Sequence, residues 1–390
     1  MTRRCHSPIL LTLLALIFVL RAFAADRTVD LTAQDGTKLK ATYFTPAKPG
    51  PGVLLLHQCN RQRKVWDSLA QQLAIAGIHV LTLDYRGYGD SGGDRFDHLP
   101  PEQAAQAQAK WPSDIDIALQ YLQSQPGVKR ETIGIGGASC GVNNSVQTAR
   151  RHPEVKSLLL LSGNTNLEGR NFLRHADLPI FFAVADDDEF PPTVTAMEWL
   201  YSIDANSGKR LAHYSKGGHG ADMFSVHPEL IRLIVDWYVT ALIQTPGRAP
   251  ASSDTPAIPD QVQILNTIDE PGGPAKVSRQ LEQARQHDSK IPLFSEPLVN
   301  VIGYEHLQAG DAKSAIEILK LNADAYPNSP NVYDSLADAY LASGQKELAR
   351  QNAQKALDML LSDTEDPEPA RNEIRQSAEQ KLKQLGDPGK

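Results

Sequence analysis

The feature that most constrains the fold of this 390-residue chain is the alternation of short apolar runs with amphipathic stretches between Arg27 and about Thr245. Strands buried on both faces read as short apolar runs, and helices that cover a sheet place apolar residues along one side. The predicted strands are KLKATYF, GVLLLH, IHVLTLDY, TIGIGG, VKSLLLLSG, PIFFAVA and KRLAHYS. The predicted helices are Lys64–Ala76, Pro112–Gln123, Cys140–Arg151, Thr193–Asp204 and Pro228–Leu242. The pattern predicts an α/β domain over residues 25–245, with a mostly parallel sheet and helices on both faces.

Residues 1–24 have the composition of a signal peptide. Two arginines precede an apolar run over residues 9–20, and Ala22-Phe23-Ala24 offers small residues to an export peptidase. The run is too short to span a bilayer comfortably. We therefore expect a secreted or periplasmic protein that begins near Ala25 and has no stable membrane span. Loss of the three arginines of this segment lowers the formal charge from -7 to -10, which argues against nucleic acid as a partner.

The segment after the α/β domain, residues 246–276, is rich in Pro, Gly, Ser and Asp. Such a composition predicts a linker or a surface wrap. We therefore expect a chain ending near Thr245 to fold and to keep its activity on its own.

An internal repeat follows, and a smaller all-α domain is expected over residues 277–390. A shift of 34 residues superimposes Ile302 on Leu336, Gly303 on Ala337, His306 on Tyr340, Leu307 on Leu341, Gly310 on Gly344 and Ala315 on Ala349. This period, with two units at about 297–330 and 331–364, resembles tetratricopeptide repeats and suggests a protein partner. Two repeats bury their own faces poorly, so capping helices are expected. The candidates are Ser278–Gln286 and a stripe formed by Ile374, Ala378, Leu382 and Leu385.

The stretch IGIGGASCGV, residues 133–142, places a serine and a cysteine side by side on a predicted strand-to-helix turn. Counted from Gly137, the turn reads G-x-S-x-G with Ser139 at its centre. The residues two before and two after a nucleophile on such a turn must be small, because the strand and helix backbones crowd there. Ser139 is therefore the predicted nucleophile. Cys140 is the alternative, but it would put Val142 at a crowded position.

Residues 27–245 resemble an α/β-hydrolase of the dienelactone hydrolase-like group. The resemblance rests on the serine turn and on LDYRGYGDSGG, residues 83–93, which is similar to the turn after the fourth strand of that superfamily. In that family a serine, an acid and a histidine follow one another along the chain. The histidine stands in the loop after the strand that follows the acid. His219, in GGHGADMF, matches the position of the general base.

The position of the acid is implied by the same resemblance, but three aspartates compete for it in DDDEFPP. In the family the acid stands three residues after a small residue and four before a proline, and Asp188 meets that spacing. Asp187 is the alternative, and Asp186 is expected to be a solvated side chain of the turn. Adjacent carboxylates lack the alternate spacing of a calcium loop.

The resemblance also implies two backbone N–H donors for an oxyanion. One is the N–H of Cys140, and the other comes from the loop His57-Gln58-Cys59-Asn60, where the family commonly has glycine in place of Gln58. Cys59 is the predicted second donor, with Gln58 as the alternative. Two donors that face one oxygen must lie close together, so we hypothesise a Cys59–Cys140 disulfide.

No cofactor or metal is expected, because no nucleotide-binding or zinc-binding pattern occurs in a suitable context. The sequence thus predicts an exported serine hydrolase that cleaves a small or polymer-attached carboxylic ester through an acyl-enzyme on Ser139. Three alternatives remain open. They are a thioesterase or amidase with the same triad, a peptidase, and an interaction protein that uses its repeats while the hydrolase domain is inert.

Overall fold

The computed structural model describes residues 25–190, 192–249, 256–287, 293–364 and 366–386, so the predicted signal peptide lies outside the described residues. Within them, eight strands form one sheet. The strands are β1 (Ala25–Thr32), β2 (Lys38–Thr45), β3 (Gly50–Leu56), β4 (His79–Leu83), β5 (Val128–Ala138), β6 (Val155–Leu161), β7 (Ile180–Ala185) and β8 (Lys209–Tyr214).

The strand order is β1-β2-β4-β3-β5-β6-β7-β8. Strand β2 pairs antiparallel with β1 and β4, and the other pairs are parallel, so the predicted mostly parallel sheet is confirmed. All seven predicted strands are present. The additional strand is β1, an edge strand in which only alternate residues such as Val29 and Leu31 are buried. The carboxyl ends of the parallel strands meet at one edge of the sheet, where an α/β fold usually builds its site.

Fifteen α-helices lie within the described residues. Those of the hydrolase part are α1 (Asp67–Ile75), α2 (Pro101–Gln108), α3 (Trp111–Ser124), α4 (Cys140–Arg151), α5 (Leu167–Leu173), α6 (Pro192–Ile203), α7 (Met223–Val226) and α8 (Pro228–Tyr238). A π-helical turn, Val239–Gln244, extends α8. Those that follow are α9 (Asp260–Ile268), α10 (Gly273–Arg285), α11 (Glu296–Gln308), α12 (Ala312–Ala325), α13 (Pro330–Ala342), α14 (Lys346–Leu360) and α15 (Glu368–Leu385). None of the helices described is long and apolar enough to cross a membrane.

The C-terminal helices repeat with the predicted period. Helices α13 and α14 begin 34 residues after α11 and α12 respectively. Gly303 of α11 allows close packing, because a Cβ added there would lie 2.6 Å from the side chain of Leu319 on α12. On α15, Ile374 and Ala378 are buried against this helical core, as expected for a capping helix. The region is thus consistent with a helical repeat domain, and its tetratricopeptide identity remains a prediction.

The predicted linker requires a correction, because α9 lies within residues 246–276 and packs on the hydrolase domain. Val262, Leu265 and Ile268 of α9 are buried, and they belong to the same apolar core as residues of β6 and β7. The composition of residues 246–276 predicted turns in the backbone, but it did not show that the apolar face of α9 packs against the hydrolase core. A chain ending near Thr245 would leave part of the hydrolase core uncovered, so its expected independence is not supported by the packing.

A buried ion-pair network holds the same junction. Arg170 of α5, which is fully buried, donates to both carboxylate oxygens of Asp269 at 2.9 and 3.1 Å, and its Nη1 lies 2.6 Å from Glu305 of α11. Although burial raises it, the pKa of Asp269 is held below its usual range by His306 beside it and by the Arg170 guanidinium. Arg174 also donates to Asp269 at 2.6 Å, so removal of Arg170 would leave Glu305 as the buried carboxylate without its arginine partner, and the network joins α5 to the helical region.

Candidate active site

Ser139 occupies the sharp turn between β5 and α4. Its backbone has φ 53° and ψ -120°, one of two non-glycine residues with positive φ among those described, and its N–H donates to Leu161 O at 2.9 Å. A serine rarely adopts this conformation unless the surrounding structure enforces it. The strained backbone and the half-buried position of Ser139 are typical of a nucleophilic serine on the turn between a strand and a helix.

The flanking glycines show why the motif has this spacing. A Cβ added at Gly137 would lie 2.0 Å from Gly141 O, and one added at Gly141 would lie 2.5 Å from Leu56 O at the end of β3. Neither position has room for a side chain, which confirms the crowding predicted from the G-x-S-x-G spacing. The centred residue is therefore Ser139, and Cys140 lies one residue further on, at the start of α4.

His219 and Asp188 form a buried pair at the same edge of the sheet. Asp188 follows β7, and His219 lies in the loop after β8. Both residues are 5% exposed, and His219 Nδ1 lies 2.9 Å from each carboxylate oxygen of Asp188. A carboxylate in this position fixes which ring nitrogen carries the proton and leaves Nε2 free to accept one.

The other two aspartates of the acidic turn have different partners. Asp187 accepts from the backbone N–H groups of Gly217 and Gly218 at 2.7 and 2.9 Å, and the Gly218 contact lowers the pKa of the Asp187 carboxyl. Asp186 lies 2.6 Å from His213 Nε2 at the surface. Asp187 therefore shapes the loop that leads to His219, and Asp188 is the one that contacts the imidazole.

The loop opposite Ser139 is covalently joined to the nucleophile turn. Cys59 and Cys140 form a disulfide with a Cα–Cα distance of 5.9 Å across a sequence separation of 81 residues, which confirms the hypothesised pair. The two residues expected to supply the oxyanion donors are thus held within the distance that a disulfide requires. Their roles as donors remain a prediction.

His57 is fully buried and has a structural role, as its contacts indicate. Its Nε2 accepts from Tyr85 N–H at 3.2 Å, so its proton lies on Nδ1, which donates to Gln58 O at 2.7 Å. Burial lowers the pKa of His57 to about 4, so the ring is neutral at ordinary pH.

The segment LDYRGYGDSGG, residues 83–93, supports the loop that follows β3, residues 57–63. Asp84 is fully buried, pairs with the Arg63 guanidinium, and accepts from the backbone N–H groups of Arg63 at 2.6 Å and Asp90 at 2.9 Å. Arg63 begins the short 3-10 helix that follows the oxyanion loop. The motif therefore fixes the position of residues 57–63 relative to β4.

Two features of the site were not singled out in the sequence. Phe190 packs edge-on against His219, with ring centroids 4.9 Å apart, and is 52% exposed, so its free face is accessible to solvent. A cleft of about 720 Å³ borders Cys59 and is lined by Tyr88 and by polar side chains that include Lys64 and Arg95, but Ser139, Asp188 and His219 do not line it. Within the described residues, no group of three or more His, Cys, Asp or Glu side chains could hold a metal ion.

The chain is similar to known proteins over its α/β part. The model of the dienelactone hydrolase family matches residues 39–223. An uncharacterized protein of Mycobacterium tuberculosis is 32% identical over 158 residues, which cover 40% of this chain and 52% of that protein. A protein of Aspergillus aculeatus named thiohydrolase aneE is 30% identical over 134 residues, or 34% of this chain and 39% of that protein. The matches therefore span about half the length of these relatives, or less.

Solved structures of similar proteins cover the hydrolase part. A dienelactone hydrolase from Anabaena variabilis has a TM-score of 0.45 at 19% identity and covers 56% of this chain and 99% of its own. An esterase from Pyrococcus furiosus has a TM-score of 0.45 at 17% identity and covers 56% of this chain and 91% of its own. The family model supports a hydrolase role for residues 39–223, which are similar to the dienelactone hydrolase family.

Proposed function

We propose that this protein is an exported serine hydrolase that cleaves a carboxylic ester through an acyl-enzyme formed on Ser139. The observation that carries the proposal is the strained serine at the end of β5 combined with the buried His219–Asp188 pair at the same edge of the sheet. The Cys59–Cys140 disulfide adds support for export, because such bonds persist in oxidising compartments.

The proposed reaction begins with proton transfer from Ser139 Oγ to His219 Nε2 as the oxygen attacks the ester carbonyl. Asp188 stabilises the imidazolium that forms. The N–H groups of Cys140 and Cys59 donate to the oxyanion, which is worth on the order of 100-fold to 1000-fold per donor. Collapse of the intermediate breaks the carbon–oxygen bond, and His219 returns the proton to the departing alcohol. Water then attacks the acyl-enzyme with His219 as base, which releases the acid and restores Ser139.

A small or polymer-attached ester is the proposed substrate, because the exposed ring of Phe190 offers one apolar surface next to His219. The neighbouring cleft at Cys59, which Ser139, Asp188 and His219 do not line, is lined mainly by polar and charged residues. A thioester is the second candidate, because a relative that is 30% identical over 134 residues is named a thiohydrolase and the same triad would cleave both bonds.

Labelling with a fluorophosphonate probe, followed by peptide mapping, tests the proposal directly. We expect the adduct on Ser139 and the loss of p-nitrophenyl acetate turnover in Ser139→Ala. The control is Ser124→Ala, which replaces an exposed serine at the end of α3. Ser124 precedes β5, whereas Ser139 follows it. A probe adduct on another residue, or activity that survives in Ser139→Ala, would refute the assignment. Parallel assays with acyl thioesters decide between the two candidates.

A further inference from the structure

Gln58 lies between the oxyanion loop and the loop that carries His219. Its side chain is fully buried, although glutamine is rarely found so deep in a protein without a reason. A buried amide must have its donors and its acceptor satisfied, because an unpaired polar group in the interior is unfavourable. The hydrogen-bond partners of the Gln58 amide therefore indicate the role of this side chain.

Both ends of the Gln58 amide bind the backbone of the His219 loop. Nε2 donates to His219 O at 3.2 Å, and Oε1 accepts from Ala221 N–H at 2.9 Å. A carbonyl can only accept and a backbone N–H can only donate, so these partners determine the orientation of the amide. Gln58 thus holds the residue before and the residue after Gly220.

The loop is pressed against Gln58 at Gly220, which has φ +60°. A Cβ added at Gly220 would lie 2.5 Å from Gln58 Oε1 and 3.2 Å from Ala138 Cβ. Since Ala138 directly precedes Ser139, the Gln58 side chain and the nucleophile turn together define where the His219 loop can lie. A shift of Gln58 would move the imidazole relative to Ser139.

Gln58 is itself held firmly. The His57 ring donates to its carbonyl, and the neighbouring Cys59 is bonded covalently to Cys140. A second link between the two loops, the bidentate Arg61–Asp222 ion pair, is partly exposed and is therefore screened by solvent. The buried amide of Gln58 is the link that solvent does not screen.

We propose that Gln58 is a positioning residue that sets the place of His219 through the backbone of its loop. The inference rests on the proposed function of Ser139 and His219. It also gives a reason why a bulky amide stands at a position where the family resemblance implies glycine, since a glycine could make neither contact.

Two substitutions test the proposal. Gln58→Met has a similar size but makes neither hydrogen bond. Gln58→Glu makes both only while its carboxyl is protonated, because the O–H then donates to His219 O and the C=O accepts from Ala221 N–H. The control is Gln71→Met, the same substitution at an exposed position of α1. Rates of p-nitrophenyl acetate hydrolysis are measured between pH 5 and pH 9, together with melting temperatures and the rate of fluorophosphonate labelling of Ser139.

We expect kcat of Gln58→Met to fall by about 10-fold to 100-fold with little change in KM, since misplacing a catalytic group by about 1 Å has effects of that order. The ratio of Gln58→Glu to wild-type activity should rise as the pH falls, whereas the ratio for Gln58→Met should stay constant. Wild-type kcat in Gln58→Met overturns the inference. So does a loss that follows the melting temperature with no pH-dependent rescue.

If Gln58→Met does not fold, the pH dependence of Gln58→Glu decides alone. Failure of the proposed function is distinguishable, because it would appear as activity in Ser139→Ala or as an unlabelled Ser139 in the wild-type protein. Both are independent of the ratios between Gln58 variants and wild type.

Discussion

Removal of the Cys59–Cys140 disulfide should destabilise the hydrolase domain strongly. In a protein that begins at Ala25, these are the only two cysteines, so the double variant Cys59→Ala/Cys140→Ala removes the bond without leaving a free thiol. The bond closes a long loop, since its ends are 81 residues apart in sequence. Opening it increases the conformational freedom of the unfolded chain far more than that of the folded one.

The chain-entropy relation gives about 4.5 kcal/mol for a loop of this length at 25 °C. A domain of roughly 200 residues melts about 2–4 °C lower for each kcal/mol lost, so the expected decrease in melting temperature is about 9–18 °C. The effect on turnover should be smaller than the roughly 100-fold that loss of one oxyanion donor causes, because both backbone N–H groups remain in the variant.

The assay is thermal unfolding of the oxidised wild type, the wild type in a reductant and the double variant, with p-nitrophenyl acetate turnover measured on each. Reduced wild type and the double variant should have similar melting temperatures, because both lack the cross-link and the double variant differs further only by the loss of two Sγ atoms. Equal melting temperatures for oxidised and reduced protein would refute the reasoning. Two free thiols detected by non-reducing mass spectrometry would show that the bond does not form.

Three further expectations concern carboxylates and their partners. Asp188→Asn should lower kcat by about 10³-fold to 10⁴-fold, whereas Asp187→Asn should have a mild effect; the reverse ranking in steady-state assays would move the acid by one position. Burial raises the pKa of Asp204 to about 7, so between pH 4 and pH 7 the folded protein keeps a proton that the unfolded chain releases. The free energy of unfolding should therefore decrease as the pH rises from 4 to 7, by up to about 1.4 kcal/mol per pH unit. Urea unfolding at pH 5 and pH 8 should show a smaller loss in Asp204→Asn, and equal losses would contradict the assignment. Arg170→Met should reduce the free energy of unfolding by about 3 kcal/mol, because Glu305 stays buried without its arginine partner while Asp269 keeps only Arg174 and His306; urea unfolding that shows a change under about 1 kcal/mol would contradict this.

The nucleophile turn was predictable because its constraint is local. Crowding between the end of β5 and the start of α4 leaves no room for side chains at Gly137 and Gly141, so their spacing alone points to Ser139. The strands were predictable for a similar reason, since each buried strand is a short apolar run. The edge strand β1 was not predicted, because only its alternate residues are buried and its apolar pattern is therefore weaker.

The acid and the base needed more than local pattern. Asp188 was chosen over Asp187 by family resemblance, and only the fold shows that Asp188 faces His219 while Asp187 binds the loop backbone. The same holds for Gln58, whose partners are 161 and 163 residues away. Contacts between residues so far apart in sequence leave no periodic pattern. The sequence therefore shows only that Gln58 stands where the family resemblance implies glycine.

The boundary between the two parts of the chain lies later than composition suggests. One side of α12, with Ile318 and Leu321, belongs to the core shared with the hydrolase domain, while its other side, with Ala315 and Leu319, belongs to the core of the repeats. Helices α9 to α11 therefore complete the hydrolase, and α12 joins two apolar cores.

This division bears on the site as well as on stability. Arg170 is held by Asp269, directly after α9, and by Glu305 of α11, and it donates to Thr165 O at 3.0 Å. The Thr165 hydroxyl donates to Asn143 on the first turn of α4 at 2.8 Å. A continuous set of contacts thus runs from the helical region to the helix that begins beside Ser139. Helices α13 to α15 make no part of that set, because their buried residues belong to the repeat core. If the protein has a partner, the surface of these last helices is the part that can bind it without disturbing the support of the active site.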